Sequence, residues 1–329
     1  MLRNGTIWIA VIYLFCLASA NAAHAASVTS VDIARPEGQR HYLMATPDHL
    51  ASGKHPLVIL LHGHRGSAAQ VLGQNGSAGP LSVWLQIADR EQVLVAAPDG
   101  AKGNDGTTGW NDCRADATSS PKTDDTGFIS AIIDKEIAAH DADPARVYVM
   151  GMSNGGIMTF RLATEIAPKL AGFAAVSASM ASNSVCSAPK MPLSALIISG
   201  TADPLVPYQG GAIHFHGFPT PNRGSVIGIE DSALFWRKLD QISTEASTTE
   251  IVHRDPDDQT RATRMTWGSA RDKVQVELIR IDKGGHLEPS ITRPLGRVYT
   301  LLFGAQNGDL EAAEEAWTFF KDKRAATSP

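Results

Sequence analysis

Three residues in one chain order carry the first chemical signal here: Ser153, Asp203 and His286. A serine hydroxyl is a poor nucleophile until a base takes its proton. The base is normally a histidine, oriented and charge-balanced by a carboxylate. Ser153 stands in Gly151-Met152-Ser153-Asn154-Gly155, a match to the G-x-S-x-G turn that lifts a nucleophile above a sheet. Asp203 lies in Gly200-Thr201-Ala202-Asp203-Pro204, after the apolar run Leu193 to Ile198. His286 follows Gly284-Gly285 and the run Val274 to Ile281. Nucleophile, acid and base therefore come in the order Ser, Asp, His.

Each position has rivals. Asp99 and Asp231 compete with Asp203, but neither sits in a turn after a buried strand between the serine and the candidate base. His253 competes with His286, because a short strand precedes it. His62-Gly63-His64 and His214-Phe215-His216 each have spacing that a metal could use. Gly63, however, follows the buried strand Pro56 to Leu61 after one residue, where an esterase supplies an oxyanion N–H. No metal and no cofactor are expected. The expected oxyanion donors are the backbone N–H groups of Asn154 and His64. His62 and Trp110 are the candidate substrate contacts.

The elements that must hold these residues follow from the pattern. Val147, Tyr148, Val149 and Met150 read as a strand buried on both faces. Ile157, Phe160, Leu162, Ala163 and Ile166 recur at near-helical spacing until Pro168. Ser27 to Ala34 and Tyr42 to Ala45 read as an opening antiparallel pair. Buried strands at Pro56 to Leu61, Val93 to Ala97, Gly172 to Val176 and Leu193 to Ile198 alternate with helices. Those helices carry Leu81 to Ala88, Phe128 to Ile137, and Leu234, Phe235 and Leu239. Thr263 to Trp267 and Val274 to Ile281 read as a hairpin whose second arm joins the sheet, and a last helix runs from about Leu310 to Phe320. The expectation is an α/β fold, the α/β-hydrolase fold, with a mostly parallel central sheet and helices on both faces. Ligands bind outside the carboxyl ends of such strands, where all the candidate residues fall.

The chain has 329 residues, 43% of them hydrophobic, with a formal charge of −5. That bounds one large core and shows no basic or acidic run suited to nucleic acid or a membrane surface. Arg3, the apolar stretch Ile7 to Ala20 and Ala23-His24-Ala25 read as a leader. The expected division is a removed signal peptide, 1–25, and a single catalytic domain, 26–329; cleavage after Ala22 is the alternative. The apolar stretch is short for a membrane span, so no stable membrane insertion is expected. Phe15 before Cys16 is too large for a lipoprotein signal. Removing Cys16 leaves Cys113 and Cys186, an even pair in a secreted or periplasmic protein, where a disulfide is the default. That bridge would pin the glycine-rich excursion 101–124, and with it Trp110, against the rim of the site.

The sequence resembles the secreted α/β-hydrolase esterases grouped with polyhydroxybutyrate depolymerases and feruloyl esterases. The resemblance rests on Leu61-His62-Gly63, Asp99-Gly100, Gly109-Trp110-Asn111, Asp125 to Ile129, Asp143 to Val149, Gly151 to Gly156, Gly200 to Pro204, Val206-Pro207-Tyr208 and Gly284-Gly285-His286. It implies Ser153 as nucleophile, Asp203 as orienting acid and His286 as base. It also implies a small-molecule or oligomeric ester substrate: hydroxyalkanoate oligomers, or feruloyl or acetyl esters of plant polysaccharide. A non-catalytic α/β-hydrolase-like binding protein is the competing class. Two positions depart from the family pattern. His64 stands where cysteine or a small residue is common, and Leu287-Glu288-Pro289 where Thr-Trp-Pro is frequent.

Overall fold

Alternation along the buried strands divides the apolar residues between two faces of one sheet. The computed structural model describes residues 26–326, apart from 75, 77, 140, 214–222 and 270–273. The expected leader with Cys16, and the pair His214 and His216, lie outside the described residues.

In chain order the strands and helices are β1 (Ser27–Arg35), β2 (Gly38–Thr46), β3 (His55–Leu61), α1 (Ala68–Val71), α2 (Trp84–Glu91), β4 (Leu94–Pro98), β5 (Ala101–Lys102), β6 (Thr108–Gly109), α3 (Asp125–Ala139), β7 (Ala142–Met152), α4 (Asn154–Glu165), β8 (Gly172–Val176), β9 (Ser194–Gly200), β10 (Gly211–Ala212), β11 (Ser225–Val226), α5 (Ile229–Leu239), β12 (Ser247–Glu250), β13 (Arg261–Gly268), β14 (Gln275–Asp282), α6 (Arg297–Phe303) and α7 (Ala312–Phe320). Ten strands form one sheet in the order β1-β2-β4-β3-β7-β8-β9-β14-β13-β12. The six from β4 to β14 are parallel, and the hairpins β1–β2 and β12–β13 add antiparallel edges.

Leu57, Ile59 and Leu61 face one core with Phe128 of α3, Ile157 of α4 and Trp236 of α5. Val58 and Leu60 face the other with Trp84 of α2 and Trp317 of α7. Central strands are covered on both sides, which is why they read as unbroken apolar runs. The parallel order puts the carboxyl ends of β3, β7, β9 and β14 on one rim.

Two local expectations are refined by the structure, and one strand has no counterpart in the sequence pattern. The buried stripe of α5 is Ile229, Ala233 and Trp236, while Leu234 is exposed. Of the stripe read from Leu234, Phe235 and Leu239, the last two are half-buried against the core, and only Leu234 is turned out by the packing of Trp236 and Ala233. The segment Leu81 to Ala88 begins as a 3-10 turn over Pro80–Val83 before α2. The edge strand β12, Ser-Thr-Thr-Glu, is exposed throughout, so no apolar alternation marks it.

Candidate active site

Ser153 follows β7 directly and occupies the N-cap position of α4 with φ 56° and ψ −121°. A side-chain-bearing residue adopts positive φ only when its surroundings impose it. The serine N–H donates to Val176 O at 2.9 Å, and its carbonyl accepts from Ile157 N at 2.9 Å. Two glycines make the turn possible. A Cβ on Gly151 would stand 2.3 Å from Gly155 O, and one on Gly155 would stand 2.3 Å from Leu61 O. Only hydrogen fits at either crossing.

His286 arrives from the carboxyl end of β14 and Asp203 from that of β9. Ser153 Oγ lies 2.8 Å from His286 Nε2, and His286 Nδ1 lies 2.7 Å from Asp203 Oδ2. The pattern assigns the proton on the ring to Nδ1, donated to the carboxylate, and leaves Nε2 to accept the serine proton. The other Asp203 oxygen accepts from Leu205 N and Val206 N, both at 2.8 Å, so the Asx turn aims the carboxylate. The His286 backbone is tied to a second segment through His286 N to Phe303 O at 2.6 Å. Both His286 and Asp203 side chains are buried.

The loop after β3 lies against the serine: a Cβ on Gly63 would be 3.5 Å from Ser153 Cβ. No group among the described residues engages the backbone N–H of Asn154 or His64. The His64 ring is held by Thr107 Oγ1, 2.8 Å from Nε2, with Asp105 Oδ2 at 3.5 Å. Burial, then the Arg223 guanidinium, pushes its pKa down to about 4, with Asp105 opposing. The ring is neutral at neutral pH.

Trp110 was expected to line the pocket and does not. It is fully buried; its indole N–H donates to His62 O at 2.8 Å, and its ring packs 4.8 Å from that of His62. It therefore supports the floor of the cleft. His62 borders the cleft, but both its ring nitrogens are used. Nδ1 donates to Gly63 O at 2.7 Å, and Nε2 accepts from Gly100 N at 2.9 Å. Burial lowers its pKa, which keeps the neutral form this bracket needs and leaves no ring donor or acceptor for a ligand. His253 is paired with Asp309 at 3.0 Å instead of with the serine.

Sequence reasoning missed the clamp between the elbow and the 101–124 loop. Asn154 Oδ1 accepts from Trp110 N at 2.8 Å, and its Nδ2 donates to Asp112 Oδ2 at 2.5 Å. Asp112 also takes a buried two-point ion pair from Arg114, at 2.9 and 2.6 Å. A buried loop carboxylate needs such partners, and the Asp112-Cys113-Arg114 run was the available signal. Cys113 and Cys186 are joined in a disulfide, and Val185 N donates to Cys113 O at 2.9 Å beside it. Among the described residues, one side-chain group has metal-like spacing, Cys113, Glu165 and Cys186. Its sulfurs are bonded to each other and are not thiolate ligands.

A cleft of about 780 Å³ opens over Ser153 and His286, lined by the apolar Leu81, Leu295, Tyr299 and Leu302 and by the neighbouring Arg65, Arg114 and Arg223. It sits on the rim formed by the strand carboxyl ends.

Comparison with known proteins agrees with this fold. The chain is 28% identical over 269 residues to the "Putative esterase NocK" of Nocardia uniformis subsp. tsuyamanensis, covering 80% of this chain and 73% of that protein. It is 28% identical over 240 residues to feruloyl esterase B of Piromyces equi, 71% of this chain and 40% of the relative. It is 26% identical over 258 residues to the bifunctional acetylxylan esterase/xylanase XynS20E of Neocallimastix patriciarum, 78% and 32%. The chain thus spans only about a third to two-fifths of these last two. The acetyl xylan esterase from Aspergillus awamori shares the fold, with a TM-score of 0.54 at 16% identity over 84% of this chain and 99% of that one. The family model described as phospholipase/carboxylesterase matches residues 49–215, half of the chain, including β3, the elbow and the Asp203 turn; the chain belongs to that family and is a carboxylic ester hydrolase.

Proposed function

We propose that Ser153, His286 and Asp203 hydrolyse carboxylic esters through an acyl-enzyme. The observation that carries this reading is the unbroken hydrogen-bonded chain from Ser153 Oγ through His286 to Asp203. Ser153 Oγ attacks the ester carbonyl carbon as its proton passes to His286 Nε2. Asp203 stabilises the imidazolium that forms. The carbonyl oxygen, now negative, takes the backbone N–H groups of Asn154 and His64, each such donor typically contributing about 3 kcal/mol. Collapse breaks the bond to the alcohol, which leaves with the His286 proton. Water, deprotonated by His286, then attacks the acyl-serine and regenerates the enzyme.

Acetyl or feruloyl esters of plant cell-wall polysaccharide are the substrate class nearest to the names of the relatives. Hydroxyalkanoate oligomers are the second reading, favoured by the arginines that line the cleft. Hydrolysis of p-nitrophenyl acetate and labelling by a serine-directed phosphonate test the chemistry. Absence of both would favour a binding protein instead. Release from acetylated xylan, methyl ferulate and hydroxybutyrate oligomers, measured side by side, ranks the substrates. The disulfide favours an oxidising compartment, and the proposed secreted form is one catalytic domain starting at Ala26. Amino-terminal sequencing of the exported protein checks that boundary.

A further inference from the structure

The lining of the cleft is mixed in charge. Leu295, Tyr299 and Leu302 contribute apolar surface, while Arg65, Arg114 and Arg223 gather around His64 and Asp105. Arg114 is neutralised by its ion pair with Asp112. Arg223 has a single ionic neighbour among the described residues, Asp105 at 3.7 Å, beyond hydrogen-bond reach. No hydrogen bond or ion pair among the described residues reaches the guanidinium of Arg65. The one carboxylate here, Asp105, thus stands beside Arg223, no carboxylate among the described residues pairs with Arg65, and the neutral His64 ring adds no charge.

The imbalance is built into the fold. Arg114 donates to the Arg223 carbonyl while holding Asp112, and Asp112 holds Asn154 beside the nucleophile. Asp116 accepts from Ser225 Oγ at 2.6 Å, and Ala117 bridges to Arg223. The backbone at Arg223 is therefore registered against the elbow through the disulfide-bonded loop. Arg65 is held in the left-handed region at φ 67°, with its N–H on Thr108 O at 2.9 Å. Burial disfavours the charge on Arg223, Asp105 favours it, and the Arg65 and Arg114 guanidiniums disfavour it further. A second anion would relieve that repulsion.

We propose that Arg65 and Arg223 form an anion subsite that selects esters carrying a free carboxylate at the end remote from the scissile bond. The inference rests on the ester-hydrolase reading of the same cleft. Two substrate sources share this chemistry: hydroxyalkanoate oligomers with a free acid end, and acetylated polysaccharide bearing uronic acid side groups. A guanidinium–carboxylate contact is charge-assisted and often two-pronged, and two of them within a partly enclosed cleft are read as a preference of roughly 10- to 100-fold.

The test is a ratio of kcat/KM values, acid over neutral, for matched esters. One pair is mono-4-nitrophenyl glutarate against 4-nitrophenyl butyrate, which puts the charge on the acyl end. A second is the hydroxybutyrate dimer against its methyl ester, and a third is acetylated xylo-oligosaccharide with and without a glucuronosyl group. These last two distinguish the sources. The wild-type ratio should exceed one in at least one pair and fall as salt rises. It should collapse roughly 10- to 100-fold in Arg65→Gln/Arg223→Gln, with partial recovery in Arg223→Lys. A wild-type ratio near or below one in every pair, or a preference indifferent to salt and to both substitutions, overturns the inference. The wild-type measurements need no variant to fold. Turnover of 4-nitrophenyl butyrate without acid preference refutes the subsite alone. No turnover of any ester refutes the hydrolase reading and the subsite with it.

Discussion

The elbow and the 101–124 loop border one cleft, touch each other through Asn154, and are held by different physics. The elbow is local. Its geometry comes from a strand, a helix and two glycines within a few residues, and a Cβ at either glycine would collide with backbone. The loop has one short pair of strands, β5 and β6, and its conformation comes from distant partners. Trp110 rests on His62, Asn111 N donates to buried Asp125, Asp112 holds Asn154, and Cys113 is bonded to Cys186. The comparison teaches that the nucleophile's turn is set by close steric crossings of backbone, within the elbow and against β3, whereas the loop is set by long-range polar and covalent ties.

The largest expected effect lies on the elbow side. Ser153→Ala should lower kcat by roughly 10⁴- to 10⁶-fold with the melting temperature nearly unchanged. His286→Ala should match it, Asp203→Asn should cost less, and His253→Ala should be mild. Ester turnover with active-site titration checks all four, and a Ser153→Ala enzyme within tenfold of wild type would end the proposed mechanism.

On the loop side the expected loss is of stability before chemistry. Trp110→Ala removes a fully buried ring and should cost about 3–5 kcal/mol. Because the ring lies under the floor, turnover of small and bulky esters should fall in the same proportion. A selective loss on bulky esters would return Trp110 to the substrate-contacting wall. Denaturant melts and two ester series make the measurement.

Cys113→Ser with Cys186→Ser opens a bridge of sequence separation 73. The chain-entropy model gives about 4 kcal/mol at most for that length, and residual activity in the variant should persist below its lowered melting temperature. If melting is unchanged, the loop's hydrogen bonds alone suffice and the contrast with the elbow weakens.

The smallest expected effect is a pH dependence. His64 has its pKa lowered from the usual 6.5 to about 4, so the folded state favours the neutral ring. The stability this carries is complete above about pH 6.5 and is lost as pH falls from there toward 4. His64→Gln should flatten that part of the stability curve. Thermal melts of the two proteins from pH 7 to pH 4 decide it, and parallel curves would show that the ring is not the acid-sensitive tie between the His62–Arg65 loop and Thr107.

Periodicity and turn chemistry determined what is local. The buried runs, the G-x-S-x-G turn and the Asp203 and His286 turns were legible because each follows from residue types within one strand and the turn after it. Parallel strand order then made their convergence on one rim foreseeable. The tertiary structure alone decided which atoms face the cleft. Trp110 and His62 are chemically suited to touch a substrate, but packing of β3 against the loop buries one and uses both nitrogens of the other. The α5 stripe and β12 escaped for related reasons: a helix with apolar residues on more than one face is oriented by its neighbours, and a polar edge strand has no buried face to pattern. Charge balance in the cleft is of the same kind. Arg65, Arg114 and Arg223 are far apart in sequence, and only folding shows that Arg114 is paired with Asp112, that Arg223 has Asp105 nearby and that Arg65 has no ion pair among the described residues.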